Sequence, residues 1–402
     1  MQVLVLNSGS SSIKYRLFLA DGAEVASGLV ERIGEATGRA THRTVAPDGT
    51  IEETVDEGVV ADHEDGFARI VAALEAAGRA DDLEAIGHRV VHGGAEFTAP
   101  TPIDDAVIDR IRAQVPLAPL HNPANLTGIE VATRLRPDLP QVAVFDTAFH
   151  GTLPPHAYRY AVPAAWEHEH GVRRYGFHGT SHAFVARRAA RFLGRSLEEL
   201  KLITLHLGNG ASVTAIDGGQ SVETSMGLSP LEGLVMGTRS GDLDPAVIFH
   251  VQRVAGLSPD EVERALNREG GLLGLCGDND LRTIEARADD GDAQAEVALE
   301  VYAHRVRKYL GAYTAVLGGL DAVVFTAGVG ENAASMRARI CRDLEVLGIE
   351  VEPRRNDAAA VHDADAGVVA IQADGGRVAV LVVATDEERE IAEQTQVALA
   401  GG

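Results

Sequence analysis

Lysine and cysteine are scarce in this sequence, and long hydrophobic runs are absent. Only three of the 36 basic residues are lysines, Lys14, Lys201 and Lys308, so Lys14, which follows a Gly/Ser turn, is a candidate ligand contact. The two cysteines, Cys276 and Cys341, form no Cys-x-x-Cys pair, which excludes a disulfide framework and fits a reducing compartment. No segment approaches the length of a membrane span, and no basic region precedes the apolar N-terminus. We therefore expect a cytoplasmic protein.

Positive charge is also in short supply. The chain has 59 acidic residues against 36 basic ones, a formal net charge of -23. Such a surface repels polyanions, which argues against nucleic acid or an anionic membrane as a partner, and any anionic ligand must be held locally. With 45% hydrophobic and 24% charged residues the chain should fold throughout, and 402 residues predict two domains.

Two stretches of the chain share one pattern of strands and turns. The first reads as a buried strand (3–6), a Gly/Ser loop, a second strand (13–19), an Asp-Gly turn and a third strand (24–31). The same order returns at residues 202–207, 211–216 and 220–225, with Gly208 and Gly210 in the loop. Gly-rich hairpins are common in α/β proteins, but here both the loop and the following turn repeat. The pattern predicts an internal duplication.

The rest of the chain alternates helical and strand patterns, which predicts an α/β fold. Helices are expected at 65–77 and 295–317, and buried strands at 86–91, 142–145, 322–326 and 378–384. One further helix should carry Met336, Ile340, Leu344 and Leu347 on one face and stop at Gly348.

The last helix should begin near residue 385. Thr385 and Glu388 fit a capping box there, which would leave Glu387 to point elsewhere.

Three Gly loops at strand ends indicate a nucleotide site: residues 7–12, 206–210 and 328–332. None is a Walker A loop. A dinucleotide fold is the rival interpretation, but Ala333 stands where the third Gly of its fingerprint belongs.

Two arginines, Arg89 and Arg239, are flanked by glycines, and this context suits a bidentate grip on a carboxylate or phosphoryl group. A surface salt bridge is the alternative for each. Asp146 follows a buried strand at its carboxyl end, where open α/β sheets place ligands. His178 and His182 have the i, i+4 spacing of a metal site, but without a third ligand nearby a donor role for His178 is favoured, and His182 could pack or cap.

Taken together, these segments resemble the acetate kinase (acetokinase) family, which shares a superfamily with sugar kinases, actin and the heat-shock chaperone ATPases. The resemblance runs over essentially the full chain and rests on 6–14 (LNSGSSSIK), 88–94 (HRVVHGG), 175–182 (YGFHGTSH), 206–210 (HLGNG), 237–245 (GTRSGDLDP) and 328–332 (GVGEN).

The resemblance implies two similar, duplicated domains of the actin-like ATPase (ribonuclease H-like) type around a nucleotide cleft. Residues 1–148 with 386–402 would form the N-terminal domain, with the first phosphate loop and the closing helix. Residues 149–385 would form the nucleotide-binding domain. It also implies a homodimer, ATP as co-substrate, and Mg²⁺ or Mn²⁺ as cofactor.

The implied activity is the reversible transfer of the γ-phosphoryl group of ATP to the carboxylate of acetate, giving acetyl phosphate and ADP. By matching motif, Arg89, Asp146, His178 and Arg239 form the catalytic set. The implied metal-site residues are Asn7 and Glu387. The acyl pocket, with Arg89 as a further substrate contact, comprises Val91, Leu120, Phe177 and Pro230. The implied ATP contacts are Lys14, His206, Leu207, Gly208, Asn209, Gly210, Asp280, Leu281, Arg282, Gly328, Val329, Gly330, Glu331 and Asn332.

Chemistry shapes the expected roles. A carboxylate nucleophile is already ionised at neutral pH and needs no general base. Arg89 and Arg239 should therefore offset the repulsion between two anions while His178 stabilises phosphoryl oxygens, and Asp146 should orient a partner rather than take a proton. Asp386 is a departure, since the family commonly has Asn there. The alternatives are a propionate or butyrate kinase and a non-catalytic, actin-like nucleotide switch.

Overall fold

A computed structural model describes residues 1–46, 48–364 and 366–401. The chain divides into two units, one of residues 1–151 with the C-terminal segment from Asp386, and one of Thr152–Thr385. The strands are β1 Val3–Ser8, β2 Ser12–Phe18, β3 Glu24–Glu31, β4 Gly38–Val45, β5 Ile51–Gly58, β6 Ala85–Val90, β7 Thr101–Pro102, β8 Gln141–Phe145, β9 Lys201–Leu207, β10 Ala211–Asp217, β11 Gln220–Thr224, β12 Ala322–Thr326, β13 Val368–Ala370 and β14 Ala379–Val383.

The helices vary from single turns to seven turns. They are α1 His63–Ala76, α2 Asp105–Ala113, α3 Asn122–Leu135, α4 Pro155–Tyr158, α5 Ala164–His170, α6 Gly179–Leu193, α7 Ala246–Ala255, α8 Pro259–Arg264, α9 Gly271–Cys276, α10 Leu281–Asp289, α11 Ala293–Leu317, α12 Ala327–Asn332, α13 Ala334–Cys341, α14 Pro353–Asp357 and α15 Glu387–Ala400. Among the described residues, no helix combines the length and the apolar character needed to cross a membrane.

Each unit is built on one mixed sheet. In the first unit the strand order is β5-β4-β3-β2-β1-β6-β8-β7, and in the second it is β11-β10-β9-β12-β14-β13. The hairpins β1-β2-β3 and β9-β10-β11 are antiparallel, whereas β1-β6-β8 and β9-β12-β14 are parallel. The same five-strand order therefore occurs twice, and the α/β fold with two similar units of the actin-like ATPase type is confirmed.

The first sheet is covered on both faces, which explains why β1 is apolar at every position from Val3 to Leu6. Leu4 and Leu6 pack with Phe67 of α1, while Val3 and Val5 pack with Ile391 of α15. A strand buried on both faces needs such a continuous apolar run. In the second sheet, side chains of α6 pack on β12 and β14.

Two expectations at helix ends were wrong. The helix expected to reach Leu347 ends at Cys341, because Arg342 takes an extended ψ of 133° and Asp343 then a left-handed φ of 60°; a separate 3₁₀ turn, Glu345–Leu347, precedes Gly348. The last helix is capped by Asp386, whose carboxylate accepts the Arg389 backbone N–H at 3.1 Å, and not by a Thr385–Glu388 box.

Candidate active site

The turn between β1 and β2 in the first unit is held from both sides. The Gly9 backbone N–H donates to the Ser12 carbonyl at 2.8 Å, and the Gly9 carbonyl lies 2.8 Å from His63 Nε2. Asn7, at the end of β1, is half-buried, and the structure records no side-chain hydrogen bond for it within the described residues. Lys14 pairs with Asn7 in register on β2, and its ammonium lies 2.6 Å from Glu388 Oε1.

Arg89 forms a bidentate ion pair with Asp146 through its Nε and Nη2 atoms. Arg89 Nε donates to Oδ1 at 3.0 Å and Nη2 donates to Oδ2 at 2.7 Å. Arg89 lies near the carboxyl end of β6 and Asp146 directly follows the neighbouring parallel strand β8, so the sheet places them side by side. The Asp146 side chain is 2% exposed, so this pair is a buried ion pair and not a surface salt bridge.

The charges around this pair act in opposite directions. Burial lowers the pKa of Arg89, but the carboxylates of Asp146, Glu387 and Glu388 outweigh burial and raise it. Burial raises the pKa of Asp146, Arg89 opposes that rise, and Glu387 adds to it. Glu387, the first residue of α15, therefore lies close enough to interact electrostatically with Arg89 and Asp146. Because both oxygens of Asp146 accept N–H donors, its arrangement suits a residue that orients Arg89.

Two asparagines at the start of α3 support the segment after β6, and the sequence interpretation missed them. Asn122 accepts from the His92 N–H at 3.1 Å and donates to the His92 carbonyl at 2.9 Å. Asn125 accepts from the Val91 N–H at 3.0 Å and donates to the Ser8 carbonyl at 2.8 Å, so it joins β1 to the Arg89 segment. The Asn-x-x-Asn spacing, one helical turn apart, was the available signal.

A cavity of about 670 Å³ in the second unit brings together residues of two of the three predicted Gly loops, 206–210 and 328–332, with the predicted contacts at 280–282; the loop 7–12 belongs to the first unit. Eight of the predicted ATP contacts line it: Gly208, Asn209, Asp280, Leu281, Arg282, Gly328, Val329 and Asn332. Sequence reasoning missed the other lining residues, which are Gly237, Leu272, Asn279, Glu285, Tyr302 and Ala333. Tyr302 comes from the long helix α11, which the sequence predicted without singling out this residue.

Buried polar groups fix α12, which carries the predicted Gly328–Asn332 contacts. Glu331 Oε1 accepts the backbone N–H of Ala327 at 2.9 Å and that of Thr385 at 3.0 Å, so its carboxylate is structural. Arg337 is 1% exposed and donates to the carbonyls of Gly330 and Glu331, both at 2.9 Å, at the end of the helix. A cation is favourable at a helix C-terminus, where carbonyls lack intrahelical partners.

Arg239 and His178 converge on Gly210. A methyl group placed on Gly210 would lie 3.5 Å from Arg239 Nη1 and 3.6 Å from His178 Nε2. Arg239 donates to the Pro230 carbonyl at 3.2 Å and to Met236 Sδ at 3.7 Å, both neutral acceptors, and within the described part of the chain it has no ion pair. Burial alone lowers the pKa of Arg239, yet a guanidinium stays charged. Its charge is therefore available to an anion.

The segment that carries Pro230 is held by a partly buried ionic cluster. Glu232 accepts from Arg174 Nη2 at 2.6 Å and from the Tyr160 hydroxyl, and the Leu228 N–H donates to the same hydroxyl at 3.0 Å. Arg174 also donates to the Ser225 carbonyl at 3.2 Å. Of the other residues expected at the acyl pocket, Phe177 is buried in the second unit, whereas Val91 is half-buried and Leu120 exposed in the first.

Comparison with known proteins identifies the family. The sequence profile described as the acetokinase family matches residues 2–393. The chain belongs to this acetokinase family. An acetate kinase of Streptomyces avermitilis is 58% identical over 398 residues, covering 98% of this chain and 96% of that protein. An acetate kinase of Leifsonia xyli is 55% identical over 404 residues, covering 100% and 99% of the two chains.

Solved structures of this family superpose on the whole chain. The acetate kinase of Porphyromonas gingivalis is 41% identical with a TM-score of 0.92, covering 99% of each chain. A propionate kinase of Francisella tularensis is 39% identical with a TM-score of 0.91, covering 98% of this chain and 99% of that one.

The remaining predicted ATP contacts of this protein lie outside the cavity lining. His206 and Leu207 end β9 beside it, Gly210 faces Arg239 and His178, and Gly330 and Glu331 are buried in α12. Lys14 belongs to the first unit and contacts Glu388. His182 is fully buried and contacts Thr204 and Ser212.

Proposed function

We propose that this protein transfers the γ-phosphoryl group of ATP reversibly to the carboxylate of acetate, yielding acetyl phosphate and ADP. The observation that carries the proposal is the guanidinium of Arg239, which is held by neutral acceptors beside His178 and Gly210. The nucleotide cavity shares the Gly208–Asn209 loop and Gly237 with this position. A cation held in place without a carboxylate partner suits the charge that develops on a transferring phosphoryl group.

Each member of the catalytic set has a distinct proposed task. Arg239 and His178 donate to phosphoryl oxygens, and Arg89 offsets the repulsion between the acetate carboxylate and the phosphoryl group. Asp146 holds the Arg89 guanidinium in one orientation through two hydrogen bonds. Acetate is ionised at neutral pH, so no residue has to remove a proton from it.

We propose Asn7 and Glu387 as the residues that hold a magnesium ion. Their amide and carboxylate oxygens are the hard donors that Mg²⁺ prefers, and one or two protein oxygens suffice when phosphates and water complete the shell. Asn7 has no recorded side-chain partner in the described chain, and the field of Glu387 reaches Asp146, so the donor set fits. Bound Mg²⁺ would offset phosphate charge, and Mn²⁺ would suit the same donors.

Acyl-chain selection is assigned to Val91, Leu120, Phe177 and Pro230 as a proposal. The assay is hydroxamate trapping of acyl phosphate with acetate, propionate and butyrate at equal concentrations. We expect the highest kcat/KM with acetate. A maximum with propionate or butyrate would reassign the acceptor, and ATP binding without any acyl phosphate would indicate a nucleotide switch.

Arg239 is tested in the same assay. Arg239→Ala should lower kcat about 10²- to 10³-fold, the loss seen when one donor to a developing negative charge is removed. Arg195→Ala is the control, because Arg195 is an exposed arginine of the same unit that pairs with Asp321 at 2.7 Å. Near-normal turnover in Arg239→Ala would contradict the assignment.

We also propose that the protein is a cytoplasmic homodimer. Helix α7 has a mostly apolar sequence but no buried residue, and Val247, Phe249 and Val254 are 43%, 56% and 72% exposed. An apolar face of this kind is typical of an association surface. Light scattering should give twice the 42.4 kDa of one chain, and a single-chain mass would overturn this proposal.

A further inference from the structure

Four polar side chains form a continuous chain from the centre of the second sheet to His178. Thr204 Oγ1 lies 2.7 Å from His182 Nδ1, and His182 Nε2 lies 2.8 Å from Ser212 Oγ. Ser212 Oγ in turn lies 2.9 Å from His178 Nδ1. Thr204, His182 and Ser212 are completely buried, so these groups must satisfy one another.

The number of hydrogens on these side chains determines which group donates and which accepts in each hydrogen bond. Within the residues that the structure describes, the Thr204 hydroxyl contacts only His182 and the Ser212 hydroxyl contacts only the two histidines. The single hydroxyl hydrogen of Thr204 therefore goes to His182 Nδ1, which must be an acceptor. The reverse direction, or a charged His182, would bury that hydrogen without an acceptor, which is unfavourable.

The rest of the chain follows from that first step. With Nδ1 an acceptor, His182 is neutral and its Nε2–H donates to Ser212 Oγ. The Ser212 hydroxyl then donates to His178 Nδ1, which leaves the ring proton of a neutral His178 on Nε2. His178 Nε2 is the atom on the side of Gly210 and Arg239.

We propose that Ser212 and His182 are positioning residues that hold His178 as a neutral imidazole with its proton on Nε2, directed at a phosphoryl oxygen. This inference rests on the proposed function. A neutral donor suits a position beside the Arg239 guanidinium, because a second cation there would be repelled. A neutral His178 with its proton on Nε2 also needs no further proton from solvent before it can donate a hydrogen bond.

The ring of His178 is restrained on a second side. His206 stacks on it with ring centroids 4.1 Å apart and an interplanar angle of 20°. His206 Nδ1 lies 2.8 Å from Ser181 Oγ, which lies 2.8 Å from Thr385 Oγ1. Stacking limits rotation of the His178 ring, while Ser212 determines which ring nitrogen carries the proton.

The kinetic test compares hydroxyl deletions that differ only in their link to the histidines. Ser212→Ala should lower kcat about 10- to 100-fold with unchanged KM for acetate and ATP, because it removes the hydroxyl that accepts from His182 Nε2 and donates to His178 Nδ1. Ser212→Thr restores a hydroxyl and should recover most of the loss. Thr204→Val should lower kcat as well.

Thr214→Val is the matched control for these variants. Thr214 is fully buried, pairs in register with Thr204, and bonds to the Thr224 hydroxyl at 3.0 Å. Its turnover should equal that of the wild type. Wild-type kcat in Ser212→Ala, a change confined to KM, or an equal loss in Thr214→Val would each overturn the proposal.

A spectroscopic measurement tests the same inference without turnover. In protein labelled with ¹⁵N-histidine, and with His178 assigned by difference against His178→Gln, the wild-type ring should show the Nε2–H tautomer. Ser212→Ala should show a mixture of tautomers. A wild-type Nδ1–H tautomer, or no change in Ser212→Ala, would refute the proposed role of Ser212 and His182 even if acyl phosphate forms. Absence of acyl phosphate in the wild type would instead refute the proposed function.

Discussion

Replacing Arg89 with alanine should reduce both turnover and stability, whereas replacing Arg239 should reduce turnover alone. The difference follows from their partners. Arg89 neutralises Asp146, a buried carboxylate 2% exposed, while Arg239 contacts only a carbonyl and a thioether sulfur in the described chain. Removing one member of a buried ion pair leaves an uncompensated charge, which typically costs about 3–5 kcal/mol.

The stability lost in Arg89→Ala has an upper limit that depends on pH. Without Arg89, Asp146 avoids a buried charge by taking a proton, because burial and the nearby Glu387 both raise its pKa. Protonating a carboxyl of ordinary pKa costs about 4 kcal/mol at pH 7 and about 1.5 kcal/mol at pH 5, since one pKa unit is about 1.36 kcal/mol. The folded-state pKa lies above the unfolded one, so the deficit is small near pH 4 and grows as the pH rises.

Calorimetry measures this effect through the melting temperature. At about 2–4 °C per kcal/mol for a unit of this size, Arg89→Ala should lower Tm by about 8–16 °C at pH 7 and about 3–6 °C at pH 5. Arg239→Ala loses one hydrogen bond to a neutral carbonyl, worth about 1 kcal/mol, and should shift Tm by no more than about 4 °C.

The double variant Arg89→Ala/Asp146→Asn separates charge from packing. It removes the buried carboxylate, so it should recover most of the Tm at pH 7 without recovering turnover. Equal Tm shifts for the two arginine variants at pH 7 would refute the reasoning. A deficit in Arg89→Ala that shrinks as the pH rises would refute it as well.

Two further outcomes follow from buried polar residues. Arg337→Met should raise KM for ATP about tenfold and leave KM for acetate unchanged, because it frees the carbonyls of Gly330 and Glu331 at the nucleotide cavity; steady-state kinetics with each substrate varied would detect the opposite pattern. His88 is bonded to Gln141 and burial lowers its pKa to about 4, so the protein should lose up to about 3 kcal/mol of stability as the pH falls from 6.5 to 4. His88→Gln should show a flatter acid-unfolding curve, and an unchanged curve would contradict this.

Ten of the fourteen strands in the described residues were predicted because their signals are local, whereas β4, β5, β7 and β13 were missed. An apolar run bounded by turn residues specifies a strand such as β12, whose bounds the sequence predicts to the residue. The repeated hairpin turn predicted the duplication, and the strand order shared by the two sheets agrees with it. Local signals were less reliable at helix ends, where Asp386 and Thr385 are both good caps and the Asp386 contact to Arg389 decided between them.

Residues that act across the fold could not be predicted in this way. Ser212 lies in an ordinary strand pattern, and only the packing of α6 on β9 and β10 gives its hydroxyl two histidine partners. Asn125 and Arg337 are similar, since each bonds to backbone groups far away in sequence or in another element. The arginines were recognisable from their glycine neighbours, but the bidentate contact to Asp146 depends on β6 and β8 being adjacent.

The backbone of His178 affects how this protein can be engineered. Its φ of 57° places a branched side chain in the left-handed region, a conformation that costs about 1–2 kcal/mol for most residues and almost nothing for glycine. Glycine at position 178 would relieve that strain, but it would leave the buried Ser212 hydroxyl without its acceptor and remove the ring that stacks on His206, so selection for heat resistance alone would not separate active from inactive proteins. Selection schemes for this enzyme should score turnover in every round, because relief of backbone strain at this position removes the imidazole that the proposed reaction needs.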